Sequence, residues 1–292
     1  MGNVAKFSET QSYADDTQII YRFDPLEYND VVANVESDLQ KILTYCRSHN
    51  LKLNAKKTQV LLFAPARSDE FLKDYLDLQM DGQSLNFVDT ARNLGVLFDA
   101  RLRFGQHISN LSKLAYLKLK ILYSNKYILN FKVRKKLCEA YILSTLSYCL
   151  VLYYPCLTQK DRQRLQVIQN NCCRFIFGIR KYDHVNEKIA QLNWLKISNV
   201  FRYLLLTFVY KLLKSSTPMY LRSKLIFRSQ IHNMPVRSDY LTMPQHKTVF
   251  FSRSFTYNAV NIFNNFYTLF DSGSLAIFRR NIKTVIFNEQ LM

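Results

Sequence analysis

Glycine and proline are scarce: the chain of 292 residues has only 6 of each. Both numbers are well below the usual shares of about 7% and 5%. Three of the glycines, Gly82, Gly95 and Gly105, fall close together. Because glycine and proline are the strongest interrupters of regular structure, the rest of the chain is predicted to be mainly helical. The length is enough for about two domains.

Zinc-binding patterns are absent as well. The six cysteines are Cys46, Cys138, Cys149, Cys156, Cys172 and Cys173. None of them forms a C-x-x-C pair, and no histidine stands at the spacing of a zinc knuckle, so a structural zinc ion is not expected. The cysteines are instead predicted to be free thiols, mostly buried, in the reducing compartment of an intracellular protein.

The chain also lacks a long hydrophobic run. The longest apolar stretch, Ala140 to Tyr154, has 15 residues, fewer than the roughly 20 that a membrane helix needs. Ser144, Thr145 and Ser147 interrupt it. We therefore predict a buried helix here and no membrane partner. Met1 to Lys6 has neither the basic nor the apolar region of a secretory signal.

Acidic residues are rare in the second part of the chain. Residues 1–100 carry 10 Lys and Arg against 15 Asp and Glu, a net charge of −5, whereas residues 101–292 carry 30 against 7, a net charge of +23. A field of this sign attracts polyanions, so nucleic acid is the expected partner. The alternative is a solvated helix face on a protein that happens to be basic.

The basic residues are densest between residues 101 and 140, and eight of them are candidates for binding nucleic acid. These are Lys113, Lys118, Lys120, Lys126, Lys132, Arg134, Lys135 and Lys136. Each phosphate that they neutralise releases counterions, so binding is expected to weaken steeply as salt is added. Phosphate contacts carry no direct base information, so little sequence preference is expected.

Two adjacent carboxylates, Asp15 and Asp16, are the most informative feature that the chain does have. They follow Tyr13-Ala14 and lie between β-rich flanks. Asp suits tight turns, so the pair is predicted to lie at the tip of a β-hairpin within residues 4–23. The two charges repel each other there unless a cation lies between them, and carboxylate oxygens suit Mg²⁺ or Mn²⁺. The alternative is an ordinary turn or the N-terminus of a helix.

The order of the elements after this hairpin indicates an α+β fold. Asn29 to His49 has apolar residues at spacings of three and four, which predicts an amphipathic helix. Val60 to Phe63 is a candidate buried strand, and Leu78 to Arg103 is a second β region with a turn at Asp81-Gly82. Hairpin, helix, strand and hairpin follow one another in a palm-like order.

Five blocks of the sequence resemble the reverse transcriptase of non-LTR retrotransposons, most closely the jockey-like LINE group. The blocks are Tyr13–Gln18 (similar to F/Y-A-D-D-T), Asn54–Thr58 (N-x-x-K-T), Asn93–Ile108 (L-G-V-x-L/F-D, then H-I), Leu165–Val185 and Ser254–Phe278. Their order and spacing, over nearly the whole chain, make the resemblance specific. Phe263 stands where the family pattern has Trp.

The resemblance implies a truncated reverse-transcriptase palm at residues 1–104. It implies a mainly α-helical, basic thumb with further helices at residues 105–220, and the C-terminal segment of the retrotransposon polyprotein at residues 221–292. The implied activity is RNA-directed DNA polymerisation. The implied partners are an RNA template and a DNA primer, or their hybrid, and the implied place of action is the nucleus.

The resemblance also implies roles for particular residues. Asp15 and Asp16, together with a third Asp, would hold two Mg²⁺ or Mn²⁺ ions for nucleotidyl transfer. Lys57 would protonate the leaving pyrophosphate or position the nucleotide, and the alternative is a surface lysine. The primer terminus would be held by Asn93, Leu94, Gly95 and Val96.

In this family the first catalytic Asp and the nucleotide-binding fingers come far N-terminal to the hairpin, whereas Tyr13 is only 12 residues after Met1. Asp99 does not replace that Asp, since it follows the hairpin and belongs to the primer-grip block. The resemblance therefore implies that residues 1–292 alone are inactive and that a partner supplies the N-terminal polymerase half. The alternative function is a non-catalytic, basic nucleic-acid-binding remnant or co-opted protein.

Overall fold

A computed structural model describes residues 4–24, 30–64, 69–231, 240–271 and 273–292. The chain divides into an N-terminal unit, Met1–Leu102, and a C-terminal unit, Arg103–Met292. Helices dominate, and the sheets are small with few strands. The predicted α+β class is therefore confirmed at this coarse level.

The N-terminal unit begins with the predicted hairpin. Strands β1 (Glu9–Tyr13) and β2 (Asp16–Ile20) pair antiparallel, with Tyr13 opposite Asp16. The Ser12 and Thr17 hydroxyls face each other across the pair, with Oγ and Oγ1 3.1 Å apart. Helix α1 (Val31–Ser48) follows and buries one apolar face. The predictions of a hairpin within residues 4–23 and of a helix after it are confirmed.

The predicted buried strand at Val60–Phe63 is wrong in extent. Strand β3 has only two residues, Gln59–Val60, and Phe63 is 54% exposed. Leu62 leaves the strand to pack with Leu72 of helix α2 (Asp69–Tyr75). The run is apolar because its residues pack into two different groups of apolar side chains. It does not form one continuous strand.

The second β region contains two short hairpins and one further short strand. The strands are β4 (Gln79–Met80), β5 (Gln83–Ser84), β6 (Asn86–Phe87), β7 (Thr90–Asn93) and β8 (Val96–Asp99). β4 pairs with β5 and β7 with β8, both antiparallel, while β6 lies parallel to β3. Among the described residues the eight strands form four separate two-stranded sheets.

Two small apolar clusters support the N-terminal unit. One joins α1 to the β4–β5 region through Leu39, Leu43, Leu78, Met80 and Leu85. The other joins α1 to α2 through Val31, Leu62, Leu72 and Leu76. A two-stranded hairpin is marginal by itself in water, so these sheets depend on their packing against the helices.

The C-terminal unit is helical, as predicted. Its α-helices are α3 (Gly105–Ser124), α4 (Phe131–Leu137), α5 (Ser144–Ser147), α6 (Leu150–Tyr153), α7 (Gln159–Phe177), α8 (Asn186–Gln191), α9 (Ile197–Ser215), α10 (Met219–Arg222), α11 (Phe255–Phe266) and α12 (Leu275–Leu291). In the described part of residues 225–255, the β structure is one isolated bridge between Phe227 and Leu241.

Helix α7 shows how the sequence sets the boundaries of these elements. The Thr158 hydroxyl accepts a hydrogen bond from the Asp161 N–H at 3.2 Å and caps the N-terminus, where Ser and Thr are preferred. Gly178 takes a left-handed conformation (φ 72°) and ends the helix, as glycine commonly does. The core of the unit includes the fully buried Leu146, Ile168 and Phe175.

The single buried helix predicted at Ala140–Tyr154 is wrong. A π-helical segment, Cys138–Leu143, runs into α5, and the chain then breaks at Cys149 (φ 51°) before α6. Within the broken part, the Thr145 and Ser147 hydroxyls bond to the carbonyls four residues earlier at 2.9 and 2.8 Å. Such bonds compete with the backbone ladder and bend helices.

Among the described residues no single helix is long and apolar enough to span a membrane, and only a pair bent by 41°, Phe131–Ser147 with Leu150–Cys156, meets the length and composition required.

Trp194 is buried, and its Nε1 donates to the Glu139 carboxylate at 2.7 Å. All six cysteines are free, and four of them are buried: Cys46, Cys138, Cys172 and Cys173.

Candidate functional site

The two carboxylates of the sequence motif lie at an exposed hairpin tip. Ala14 (φ 52°) and Asp15 form the two-residue loop, and Asp16 is the first residue of β2. Such short loops require a positive φ in at least one loop residue. Neither the Asp15 nor the Asp16 side chain makes a hydrogen bond or ion pair within the part of the chain that the structure describes. Both carboxylates are therefore free to bind a ligand.

A buried carboxylate, Asp38, attaches the start of this hairpin to α1. Its oxygens accept hydrogen bonds from three consecutive backbone N–H groups, those of Lys6, Phe7 and Ser8, at 2.7, 2.8 and 2.8 Å. The Lys41 ammonium lies 3.2 Å from Oδ1. The backbone that leads into β1 is thus held at one point by three hydrogen bonds.

Burial opposes the charged form of Asp38, but the N–H groups of Lys6 and Phe7 and the Lys41 ammonium outweigh it and lower the pKa of this carboxyl below its ordinary value. Sequence reasoning missed this residue. Its position in the sequence could have revealed it, because Asp38 lies between Val35 and Ile42 on the apolar face of α1. A charged residue at such a position is rarely buried unless it is paired.

Lys57 ends a one-turn 3-10 helix, Ala55–Lys57. The Asn54 side chain accepts a hydrogen bond from the Lys57 N–H at 3.3 Å, and the Thr58 hydroxyl donates to the Asn54 carbonyl at 3.0 Å. Asn54 and Thr58 of the N-x-x-K-T motif therefore shape a turn that presents Lys57. The Lys57 side chain is exposed and has no hydrogen-bond or ion-pair partner among the described residues.

The predicted primer-grip residues form the tip of the β7–β8 hairpin. Asn93 lies opposite Val96, and Leu94 (φ 44°) and Gly95 (φ 84°) make the turn. Val96 is buried, whereas Leu94 and Gly95 are exposed. Glycine adopts this conformation without cost, but for leucine it is strained.

Three of the eight predicted nucleic-acid-binding residues make hydrogen bonds within the fold. Lys118 donates to the Tyr141 carbonyl at 2.8 Å and to Thr145 Oγ1 at 2.9 Å. Lys135 donates to the Leu192 carbonyl at 3.0 Å. Arg134 bonds to two carbonyls of the chain between α3 and α4, as described below.

The other five carry ammonium groups without a hydrogen bond or ion pair among the described residues. They are Lys113, Lys120, Lys126, Lys132 and Lys136. Lys126 is half-buried, and the other four are exposed. We call Lys113, Lys120, Lys132 and Lys136 the free lysines. Their charges are available to phosphates.

Neither the carboxylate tip nor any other place in the described residues gathers three His, Cys, Asp or Glu side chains in a group that could hold a metal ion. No hydrogen bond or ion pair between described residues links Asp15 or Asp16 to Lys57 or to the Asn93–Val96 turn. The N-terminal unit therefore presents the predicted site residues on separate turns.

No family model, curated protein or solved structure matches this chain. The resemblance to the reverse transcriptases therefore rests on the sequence blocks themselves, and the roles that it implies for individual residues stay predictions.

Proposed function

We propose that this chain is part of an RNA-directed DNA polymerase of the non-LTR retrotransposon type. The observation that supports it best is the Asp15-Asp16 tip: two adjacent, exposed carboxylates without an internal partner, on a tight hairpin that is itself anchored by Asp38. Two like charges side by side stabilise nothing in the fold. Their arrangement is understandable if a cation binds to them.

The side chains at this tip partly fit Mg²⁺ or Mn²⁺. Both ions prefer oxygen ligands and are commonly bound through one or two carboxylates together with water and phosphate oxygens. When bound, such ions would activate the primer 3′-hydroxyl and stabilise the leaving pyrophosphate. Asp15 and Asp16 would contribute ligands, and a third carboxylate would have to come from a polypeptide that supplies the rest of the polymerase.

The remaining site residues would bind and orient the substrates. Lys57 presents an exposed ammonium that can neutralise or protonate the leaving phosphate. The turn at Leu94-Gly95 would support the primer terminus, and the free lysines would hold the RNA–DNA hybrid through its backbone. The place of action would be the nucleus, where a retrotransposon of this type copies its RNA.

A non-catalytic nucleic-acid-binding protein is the second candidate. It is favoured by two observations: within the described residues no third carboxylate joins the tip, and four exposed lysines lie in a region without acidic residues between Asp99 and Glu139. In this case only the C-terminal unit would have a role, and the hairpin would be a relic of an active ancestor.

Metal binding at the hairpin separates the two candidates. We expect Mn²⁺, followed by its paramagnetic effect on nuclear magnetic resonance signals, to broaden the amides of residues 12–18 selectively. The double variant Asp15→Asn/Asp16→Asn should abolish the selective broadening. Asp74→Asn, which removes an exposed carboxylate elsewhere in the N-terminal unit, is the matched control and should retain it. Equal broadening in all three proteins would contradict the polymerase proposal.

Primer extension gives the second readout. Residues 1–292 alone should extend no primer on RNA or DNA, with Mg²⁺ or Mn²⁺, because the two carboxylates of one hairpin cannot hold both ions in the geometry of in-line displacement. Extension that Asp15→Asn abolishes would show instead that the chain contains a complete site.

A further inference from the structure

The turn between α3 and α4 exposes two large apolar side chains that are adjacent in the sequence. Tyr127 is 97% exposed and Ile128 is 81% exposed, on the 3-10 turn Lys126–Ile128. We call residues 126–130 the tip loop. A single exposed apolar residue needs no explanation, but adjacent ones that are almost wholly in water commonly mark a binding surface.

The tip loop is held in place by Arg134. Arg134 Nη2 donates to the Lys126 carbonyl at 2.7 Å, and Nε donates to the Leu129 carbonyl at 2.9 Å. Its guanidinium also lies over the Phe175 ring, 5.7 Å from the centroid. One cation of α4 thus binds both ends of the turn that carries Tyr127 and Ile128.

Two side-chain caps complete this support. The Asn125 amide donates to the Ile121 carbonyl at 2.9 Å at the end of α3, and the Asn130 side chain accepts from the Val133 N–H at 2.9 Å at the start of α4. A backbone with this many hydrogen bonds loses little entropy when its side chains bind a ligand. The two apolar side chains are therefore presented by an ordered turn.

The charge of the segments that flank the tip loop in the sequence indicates what binds there. Residues 100–138 contain no Asp or Glu. Lys120 on α3 and Lys132 and Lys136 on α4 are among the free lysines. A polyanion that also offers flat apolar faces meets both requirements, and nucleic acid with unpaired bases is such a partner.

We propose that Tyr127 stacks on an unpaired base of bound nucleic acid while Ile128 packs beside it and the neighbouring lysines hold the phosphates. This inference rests on the proposed function and adds to it a contact with a base. The contribution of that contact to the binding affinity does not depend on salt. Arg134 acts as a positioning residue, since it contacts the turn and not the base.

The test measures binding of a single-stranded RNA that carries one 2-aminopurine, by fluorescence anisotropy and by 2-aminopurine quenching. Tyr127→Ser should weaken binding about 5- to 150-fold, the range for loss of one base–aromatic stack, and should remove the quenching. The slope of log affinity against log salt should stay unchanged, because no phosphate contact is lost. Tyr127→Phe keeps the ring and should bind like the wild type.

Tyr182→Ser is the matched control, because Tyr182 is also almost wholly exposed, at 86%, on a different loop of the same unit. It should leave both affinity and quenching unchanged. Ile128→Ser provides a second variant in the tip loop, with a smaller loss. Circular dichroism should show the same helix content in all variants, since none of these side chains is buried.

The outcomes are distinct. If Tyr127→Ser binds and quenches like the wild type, or if Tyr127→Phe loses as much as Tyr127→Ser, the stacking inference is wrong while the proposed function stands. If Tyr182→Ser loses as much as Tyr127→Ser, the tip loop has no special role and the inference is wrong. If the wild type does not bind RNA even at low salt, both the inference and the proposed function are wrong.

Discussion

The two units differ in charge and in how they are built. Residues 1–100 carry a net charge of −5, and their short strands rest on two small apolar clusters. Residues 101–292 carry +23 on helices that bury large side chains completely. The candidate metal ligands thus lie on the less extensively packed unit, and the candidate phosphate ligands lie on the more extensively packed one. Catalytic residues commonly lie on loops, while a binding surface gains from rigidity.

Removing core volume from the C-terminal unit should have the largest effect on stability. Ile168→Ala creates a cavity at a fully buried position and should lower the free energy of unfolding by about 2–5 kcal/mol. The single tryptophan, Trp194, lies in this unit. Its fluorescence in a urea titration therefore reports the loss without interference from the N-terminal unit.

Leu39→Ala is the control for this comparison, because Leu39 belongs to a cluster of the N-terminal unit. It should leave the Trp194 midpoint in place while it shifts part of the transition seen by circular dichroism. A common shift of both signals in both variants would show that the two units unfold together and that their stabilities are not separate.

The anchor of the hairpin should give the next largest effect. Asp38→Asn removes the charge that accepts hydrogen bonds from Lys6, Phe7 and Ser8 and should cost about 2 kcal/mol, because hydrogen bonds to a charged group are the stronger ones. Limited proteolysis should then cut within residues 4–24 faster than in the wild type. The Trp194 unfolding midpoint should not move.

The same carboxylate predicts a pH dependence. Since its pKa in the folded state lies below the ordinary value of 3.8, its contribution is fully present above that value and is lost as the pH falls through the folded-state pKa. Protection of residues 4–24 from proteolysis by pepsin should therefore decrease as the pH is lowered from about 5 toward 2. A pH profile of Asp38→Asn that equals that of the wild type would contradict this role.

The cap of α7 should give the smallest effect. Thr158→Ala removes the acceptor for the Asp161 N–H and should lower the stability of the C-terminal unit by about 1 kcal/mol. Thr158→Ser retains the hydroxyl and serves as the control. A Trp194 midpoint that is the same for Thr158→Ala and Thr158→Ser would mean that the cap does not contribute to the stability of this unit.

Local signals in the sequence were sufficient for the first hairpin and for the first helix. The turn at Asp15 and the helix predicted over Asn29 to His49, observed at Val31–Ser48, each depend on residues within a few positions of one another. Turn preferences and helical periodicity act at this range, which is why these predictions are confirmed by the structure.

Long-range partners could not be predicted from the sequence. The net charge of residues 101–140 does not reveal that Lys135 donates to a carbonyl 57 residues away, or that Arg134 bridges a turn. Nor does the run from Ala140 to Tyr154 reveal the left-handed Cys149 that breaks it. Composition indicates how many cations a region has, but only the fold determines which of them remain available to a ligand.

The most direct test of the claim that the C-terminal unit binds the nucleic-acid backbone is the salt dependence of binding to an RNA–DNA hybrid and to a DNA duplex. One variant replaces the free lysines, Lys113, Lys120, Lys132 and Lys136, with Gln. The control variant replaces four other exposed lysines of the same unit, Lys160, Lys181, Lys211 and Lys224, and so changes the net charge equally.

On the DNA duplex, the slope of log affinity against log salt should become flatter by about 0.9 for each phosphate contact that is lost. The account predicts a clear flattening for the variant of the free lysines and little change for the control. Equal slopes for the wild type and the variant of the free lysines, or an equal flattening in the control, would contradict the claim that this surface binds the nucleic-acid backbone.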